Sequence, residues 1–157
     1  MKKLLLFLLL VVSISSCSKD NNPASCPTGT NPILDSTASI IVKRIIDGDT
    51  FRFSVGSDSI DVRVLGIDAY ETKHGQHLDD QAASQGIDTA TAIQIGFRAK
   101  AFADSLLTNR TIIIYRDPSQ PYQDAFGRLL RHVFFTNGQT PTDFGALMLE
   151  KHYALKD

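Results

Sequence analysis

The stretch that decides the fold is IVKRIIDGDTFRFSVGSDSIDVRVLGI, Ile41 to Ile67. Three β-favouring runs follow one another through it. SIIVKRI (39–45) is β-branched and apolar, TFRFSV (50–55) alternates, and SIDVRVLGI (59–67) alternates again. Gly56-Ser57-Asp58 is a hairpin signal between the second and third. The first and second meet at Asp47-Gly48-Asp49, a turn sequence in which Asp tolerates a left-handed neighbour and Gly supplies positive φ. Two carboxylates therefore stand at one corner of a three-stranded meander. Either they only shape the corner, or one of them is aimed at something.

Downstream the periodicity becomes helical. Leu78 to Gln85 reads as a short helix closed by Gly86, and Asp88 as the N-cap of a longer one, TATAIQIGFRAKAFADSLL (89–107). Ile93, Phe97, Ala101 and Leu107 form its expected apolar stripe, widened by Phe102 and Leu106. Gly96 inside it costs about 1 kcal/mol against Ala and points to a bend or a close contact. RTIIIYR (110–116) is a fourth strand, DPSQPYQDAFG (117–127) a loop and RLLRHVFF (128–135) a fifth strand. PTDFGALMLEKHYA (141–154) reads as a last helix opened by Pro141 or Thr142. Five short strands, with helix between the third and fourth, suit a closed barrel of the oligonucleotide/oligosaccharide-binding (OB) type, α+β in class, over residues 38–157.

The N-terminus stands apart from this domain. MKKLLLFLLLVVSISSC has two lysines, an apolar run and small residues in the order of a secretory signal, over residues 1–16. The run is well short of the ~20 residues that a membrane span needs. Ile14-Ser15-Ser16-Cys17 resembles a bacterial lipobox, which implies cleavage before Cys17, lipidation of its thiol and a lipid-anchored, extracytoplasmic place in the cell envelope. The alternative is an ordinary signal cut nearby, with Cys17 a bystander. Residues 17–37 are rich in Asn, Pro, Ser and Thr and read as a flexible tether reaching roughly 25 Å. Cleavage removes Lys2 and Lys3 and no acid, so the net charge falls from −1 to −3 and Cys26 becomes the remaining free thiol. No global basic field announces nucleic acid. An anionic substrate would be held by a few placed cations.

Charge concentrates where strands end: Asp49; Arg63, Asp68 and Glu71; Lys73 and His74; and Arg128. Acids gathered at one barrel mouth repel unless something positive sits among them. A hard divalent cation with oxygen ligands, Ca²⁺ for instance, is a natural solution, and no Cys/His spacing suggests zinc. Arginine forks bind phosphate through paired hydrogen bonds. Alternation along the third strand puts Arg63 with Leu65 and Ile67 rather than with Asp68, so the two meet only if the chain bends. Gly66 is the cheapest place for that bend.

With these residues in place, IDGDTFRF, VRVLGIDAYETKHG, AKAFADSLL and DAFGRLLRHV, in that order, resemble the staphylococcal-nuclease (thermonuclease) family over about Ile40 to Ala154. The resemblance implies a Ca²⁺-dependent phosphodiesterase on an OB barrel, acting on DNA and RNA. It implies Ca²⁺ ligation by the Asp49 and Asp68 carboxylates and the Ala69 carbonyl. Glu71 would be the general base, and Arg63 and Arg128 would hold the scissile phosphate. In-line attack by water would leave a 3′-phosphate and a 5′-hydroxyl. The protein is expected to be a monomer.

The chain also departs from the family pattern. Ala69-Tyr70 replaces the usual Thr-Pro, the segment from Gln76 to Ile95 is longer, and the chain stops at Asp157. A domain short at its C-terminus is expected to leave the barrel less covered and to lack pocket aromatics, for which Tyr122 and Phe126 are the available substitutes. The competing reading is a lipoprotein whose OB barrel binds nucleic acid without cutting it.

Overall fold

The computed structural model describes residues 37–157. The expected signal peptide, Cys17, Cys26 and all of the tether but Thr37 lie outside the described residues.

The meander forms as its alternation requires. Strands β1 (Thr37–Ile45), β2 (Thr50–Val55) and β3 (Asp58–Val64) pair antiparallel in sequence. A short β4 (Ile67–Ala69) follows, then helices α1 (Gln76–Gln85) and α2 (Thr89–Leu107). Next come β5 (Thr111–Tyr115), β6 (Leu129–Asn137), β7 (Thr140–Asp143), helix α3 (Phe144–Glu150) and β8 (Ala154–Lys156). β5 joins β1 and β6 antiparallel, and β6 closes on β3 in parallel. The result is a closed five-stranded mixed barrel carrying three helices, the expected OB-like α+β class. Closure has a consequence for chemistry. Val62 faces Leu129 and Arg63 faces Leu130, so Arg128 arrives beside the strand that carries Arg63.

Alternate positions of the five strands fill the interior. Val42, Phe51, Phe53, Val62, Val64, Ile112, Ile114, Leu129, Val133 and Phe135 are buried there. Phe144 and Met148, one turn apart on α3, close one side. The inward face of β6 also includes Arg131, which is wholly buried; its guanidinium donates to the Tyr122 and Leu130 carbonyls and lies 4.6 Å from the Tyr122 ring centre.

Four local expectations need correction. Gly48 does not adopt positive φ. It is needed for proximity, since a Cβ there would lie 2.7 Å from the Ala69 Cβ and 3.0 Å from the Ala99 Cβ. The buried face of α2 is Ala92, Gly96, Ala99, Ala103 and Leu107, while Phe97 is exposed. Small residues face inward because that helix lies almost against backbone: a Cβ on Gly96 would overlap the Glu71 carbonyl oxygen and lie 2.6 Å from that of Tyr70. The last helix is capped by Asp143, whose side chain accepts from the Ala146 amide, and Pro141 and Thr142 belong to β7. It ends at Glu150, and the chain then returns as β8. The caps at Asp88 and Gly86 are as expected: Asp88 accepts from the Thr91 amide at 2.8 Å, and Gly86 takes the left-handed conformation.

Candidate functional site

Around the opening corner, the Ile46 and Asp47 amides both donate to the Thr50 carbonyl, and the Asp49 amide donates to the Asp47 side chain at 3.3 Å. Asp47 thus shapes the turn. Asp49 points inward and is 2% exposed. Its Oδ1 accepts from the Thr50 hydroxyl (2.9 Å) and from Arg63 Nη1 (2.8 Å); its Oδ2 accepts from the Ala69 amide (2.6 Å).

The expected bend exists. Gly66 adopts φ 78° in the turn between β3 and β4, which resets the alternation. Arg63 Nη2 consequently reaches Asp68 Oδ1 at 2.9 Å, and one guanidinium bridges two carboxylates. β8 holds β4 from the other side, with Leu155 opposite Asp68 and Ala154 opposite Ala69.

Helix α1 adds two residues that the charge pattern did not single out. His77 Nε2 lies 3.1 Å from the Asp68 carboxylate. Gln81, one turn later, is 3% exposed; its Nε2 donates to Asp68 Oδ2 (2.8 Å) and to the Ala69 carbonyl (2.9 Å), and its Oε1 accepts from the Glu71 amide (3.1 Å). The available signal was the i, i+4 spacing of two polar residues on one face of an expected helix. Asp124 is a further addition. It accepts from Arg128 Nε at 2.6 Å and from the Arg128 amide at 2.9 Å, and so fixes the fork, whose Nη1 reaches the Thr50 hydroxyl at 3.2 Å.

Arg63, Asp68, Glu71 and Arg128 open onto one cavity of about 580 Å³, whose wall also includes His77, Phe126 and Asp157. Asp49 lies behind it. Lys73 and His74 are exposed and do not line it. The two candidate aromatics separate: Tyr122 packs against the Arg131 and Arg116 guanidinia, whereas Phe126 is 85% exposed, with Arg128 5.5 Å from its ring centre.

Each carboxyl has its own electrostatic setting. Burial pushes Asp49 up to about 7, against the pull of Arg63 and with a smaller push from Asp47. Partial burial would raise Asp68, but hydrogen bonds from Arg63, Gln81 and His77 outweigh it and hold the group below its ordinary value. Glu71 is raised by burial first, then by Asp47 and Asp68, with His77 and Arg63 opposing.

The residues fit a hard cation in donor chemistry. Asp68 Oδ2 and the Ala69 carbonyl converge on one point, the Gln81 nitrogen, and the Asp49 carboxylate adjoins Ala69 through its amide. Among the described residues no cluster of three or more His, Cys, Asp and Glu side chains is spaced to hold a metal. This candidate set is two carboxylates and one main-chain oxygen.

No family model matches the sequence. An uncharacterized protein of Methanocaldococcus jannaschii is 31% identical over 116 residues, a match that covers 72% of this chain and 56% of that protein. The chain therefore spans little more than half the length of this curated relative.

Proposed function

We propose that the chain is a phosphodiesterase of the staphylococcal-nuclease type, acting on DNA and RNA, lipid-anchored through Cys17 in the cell envelope on the extracytoplasmic side and working as a monomer. One observation carries this reading. Two arginines and a carboxyl whose proton affinity is raised face a single cavity, and each arginine keeps N–H groups that make no hydrogen bond among the described residues: Arg63 Nε and Arg128 Nη2.

In this reading Arg63 and Arg128 grip non-bridging phosphate oxygens and stabilise the extra charge of five-coordinate phosphorus. Glu71 orients a water and takes its proton as the oxygen attacks phosphorus. The bond from phosphorus to the 5′-oxygen breaks on the opposite side, and that oxygen acquires a proton from solvent. The products are a 3′-phosphate and a 5′-hydroxyl. Asp49, Asp68 and the Ala69 carbonyl would hold Ca²⁺, which when bound supplies charge neutralisation at the phosphate.

Digestion of single-stranded DNA in Ca²⁺, beside chelator and beside Glu71→Ser and Arg63→Ala proteins, tests this. Cleavage in Ca²⁺ alone, lost in the other three samples, is the expected result, and equal cleavage in all four would overturn it. The second reading, binding without cleavage, is favoured by the protein donors already on every oxygen of Asp49 and Asp68. Salt-sensitive binding with no turnover at millimolar Ca²⁺ would select it.

A further inference from the structure

We infer that Gln81 sets the cation affinity of this site: its carboxamide nitrogen occupies the place where an ion would sit and must leave before one enters. The inference rests on the cation reading above.

The orientation of the amide is fixed by its neighbours. On one side stand two acceptors, Asp68 Oδ2 and the Ala69 carbonyl; on the other stands one donor, the Glu71 amide. Only Nε2 toward the acceptors satisfies all three. That nitrogen lies 2.8 and 2.9 Å from the two oxygens. A Ca²⁺ ion would take the same lone pairs at about 2.3–2.6 Å, so ion and amide compete for one place. The amide satisfies the hydrogen bonds but carries no charge, which leaves Arg63 as the cation between Asp49 and Asp68.

Displacement is possible because α1 is held separately from the barrel core. Its buried apolar residues, Leu78 and Ala82, belong to a small cluster with Tyr70 and Ala92. Withdrawal of Gln81 would also release the Glu71 amide. Cation entry is thereby coupled to the backbone of the proposed base.

The test uses the full-length chain as wild type, Gln81→Ala and Gln81→Glu. Ca²⁺ binding is followed by titration calorimetry, and thermal unfolding is followed in chelator and in Ca²⁺. Removing the competing donor should tighten Ca²⁺ binding in Q81A on the order of tenfold, the equivalent of one buried hydrogen bond. Q81E should bind more tightly still, since it offers an oxygen to the ion in place of a donor. It should be less stable than wild type in chelator and regain stability in Ca²⁺. A purely structural glutamine would lower stability and leave the affinity unchanged, which would overturn the inference. Weaker binding in both variants would overturn it too. Equal binding by wild type and Q81A would sink Gln81's role and leave the cation reading standing; no binding by any of the three proteins would remove both.

Discussion

At Asp49 two carboxylate oxygens serve three donors from three segments: the Thr50 hydroxyl, the Arg63 guanidinium and the Ala69 amide. In the proposed cation role, replacing Asp49 should cost Ca²⁺ affinity and turnover, whereas Asp47 only shapes the turn. The burial of Asp49 adds a large stability role. Asp49→Ala leaves the buried Ala69 amide without its acceptor and takes one of two carboxylate partners from the half-buried Arg63, and should cost about 3 kcal/mol in urea unfolding. Asp47→Ala, which removes one long turn hydrogen bond, should cost less than about 1 kcal/mol. Glu71 gives a prediction in pH. Its folded-state proton affinity is raised, chiefly by burial, so the folded protein binds that proton more tightly than the unfolded chain does. The corresponding stability is present below the ordinary glutamate range and is lost as pH rises through the raised value. Glu71→Gln should therefore be more stable than wild type at pH 7 and no more stable at pH 3, in paired urea titrations. If Glu71 is the base of the proposed reaction, the wild-type rate profile should show an acid limb above the ordinary carboxylate range, and the same variant should abolish it.

At the scale of elements, α2 acts as a wall behind the site. Gly96 lets it approach the Tyr70 and Glu71 carbonyls, and Gly48 lets the corner approach Ala69 and Ala99. In an ordinary exposed helix Gly→Ala stabilises by about 1 kcal/mol. Gly96→Ala should reverse that sign and cost roughly 2 kcal/mol or more, because a Cβ would meet backbone that has no room to yield. Urea unfolding reads the stability, and the Glu71-dependent rate should fall with it. The same contacts explain what was legible. Strand runs, the Asp88 and Gly86 caps and the Gly66 bend are written in local residue chemistry, and they stand where the residues put them. The inward face of α2 is set by what the helix touches. Phe97 fits an apolar stripe on a wheel, yet lies outward because only small residues fit against the site. β7 and β8 are four and three residues long and exist through their partners, so no internal period announces them. Asp49, Asp68, Ala69 and Arg63 came together as a set. Gln81 reads as an ordinary polar helix residue until the β4 backbone is placed beside it.

For the whole molecule, the charge balance predicts how nucleic acid would be held. The full chain carries −1, and two arginines open onto the cavity. With single strands, each neutralised phosphate contributes a slope of about −0.7 in log affinity against log salt, so two contacts give about −1.4. Fluorescence anisotropy with Glu71→Gln and a labelled oligonucleotide measures this, and a slope steeper than about −3 would show that cations elsewhere share the binding. The architecture also orders events in time. β4 carries Asp68 and Ala69 early in the chain, yet its partner β8 is made of Ala154 to Lys156, and the barrel itself closes only when β6 reaches β3. A nascent polypeptide therefore cannot complete the site until residues 154–156 have emerged to pair with β4. The strand that presents Asp68 and Ala69 is thus held by residues made long after it, which makes the site a late product of folding rather than a local one.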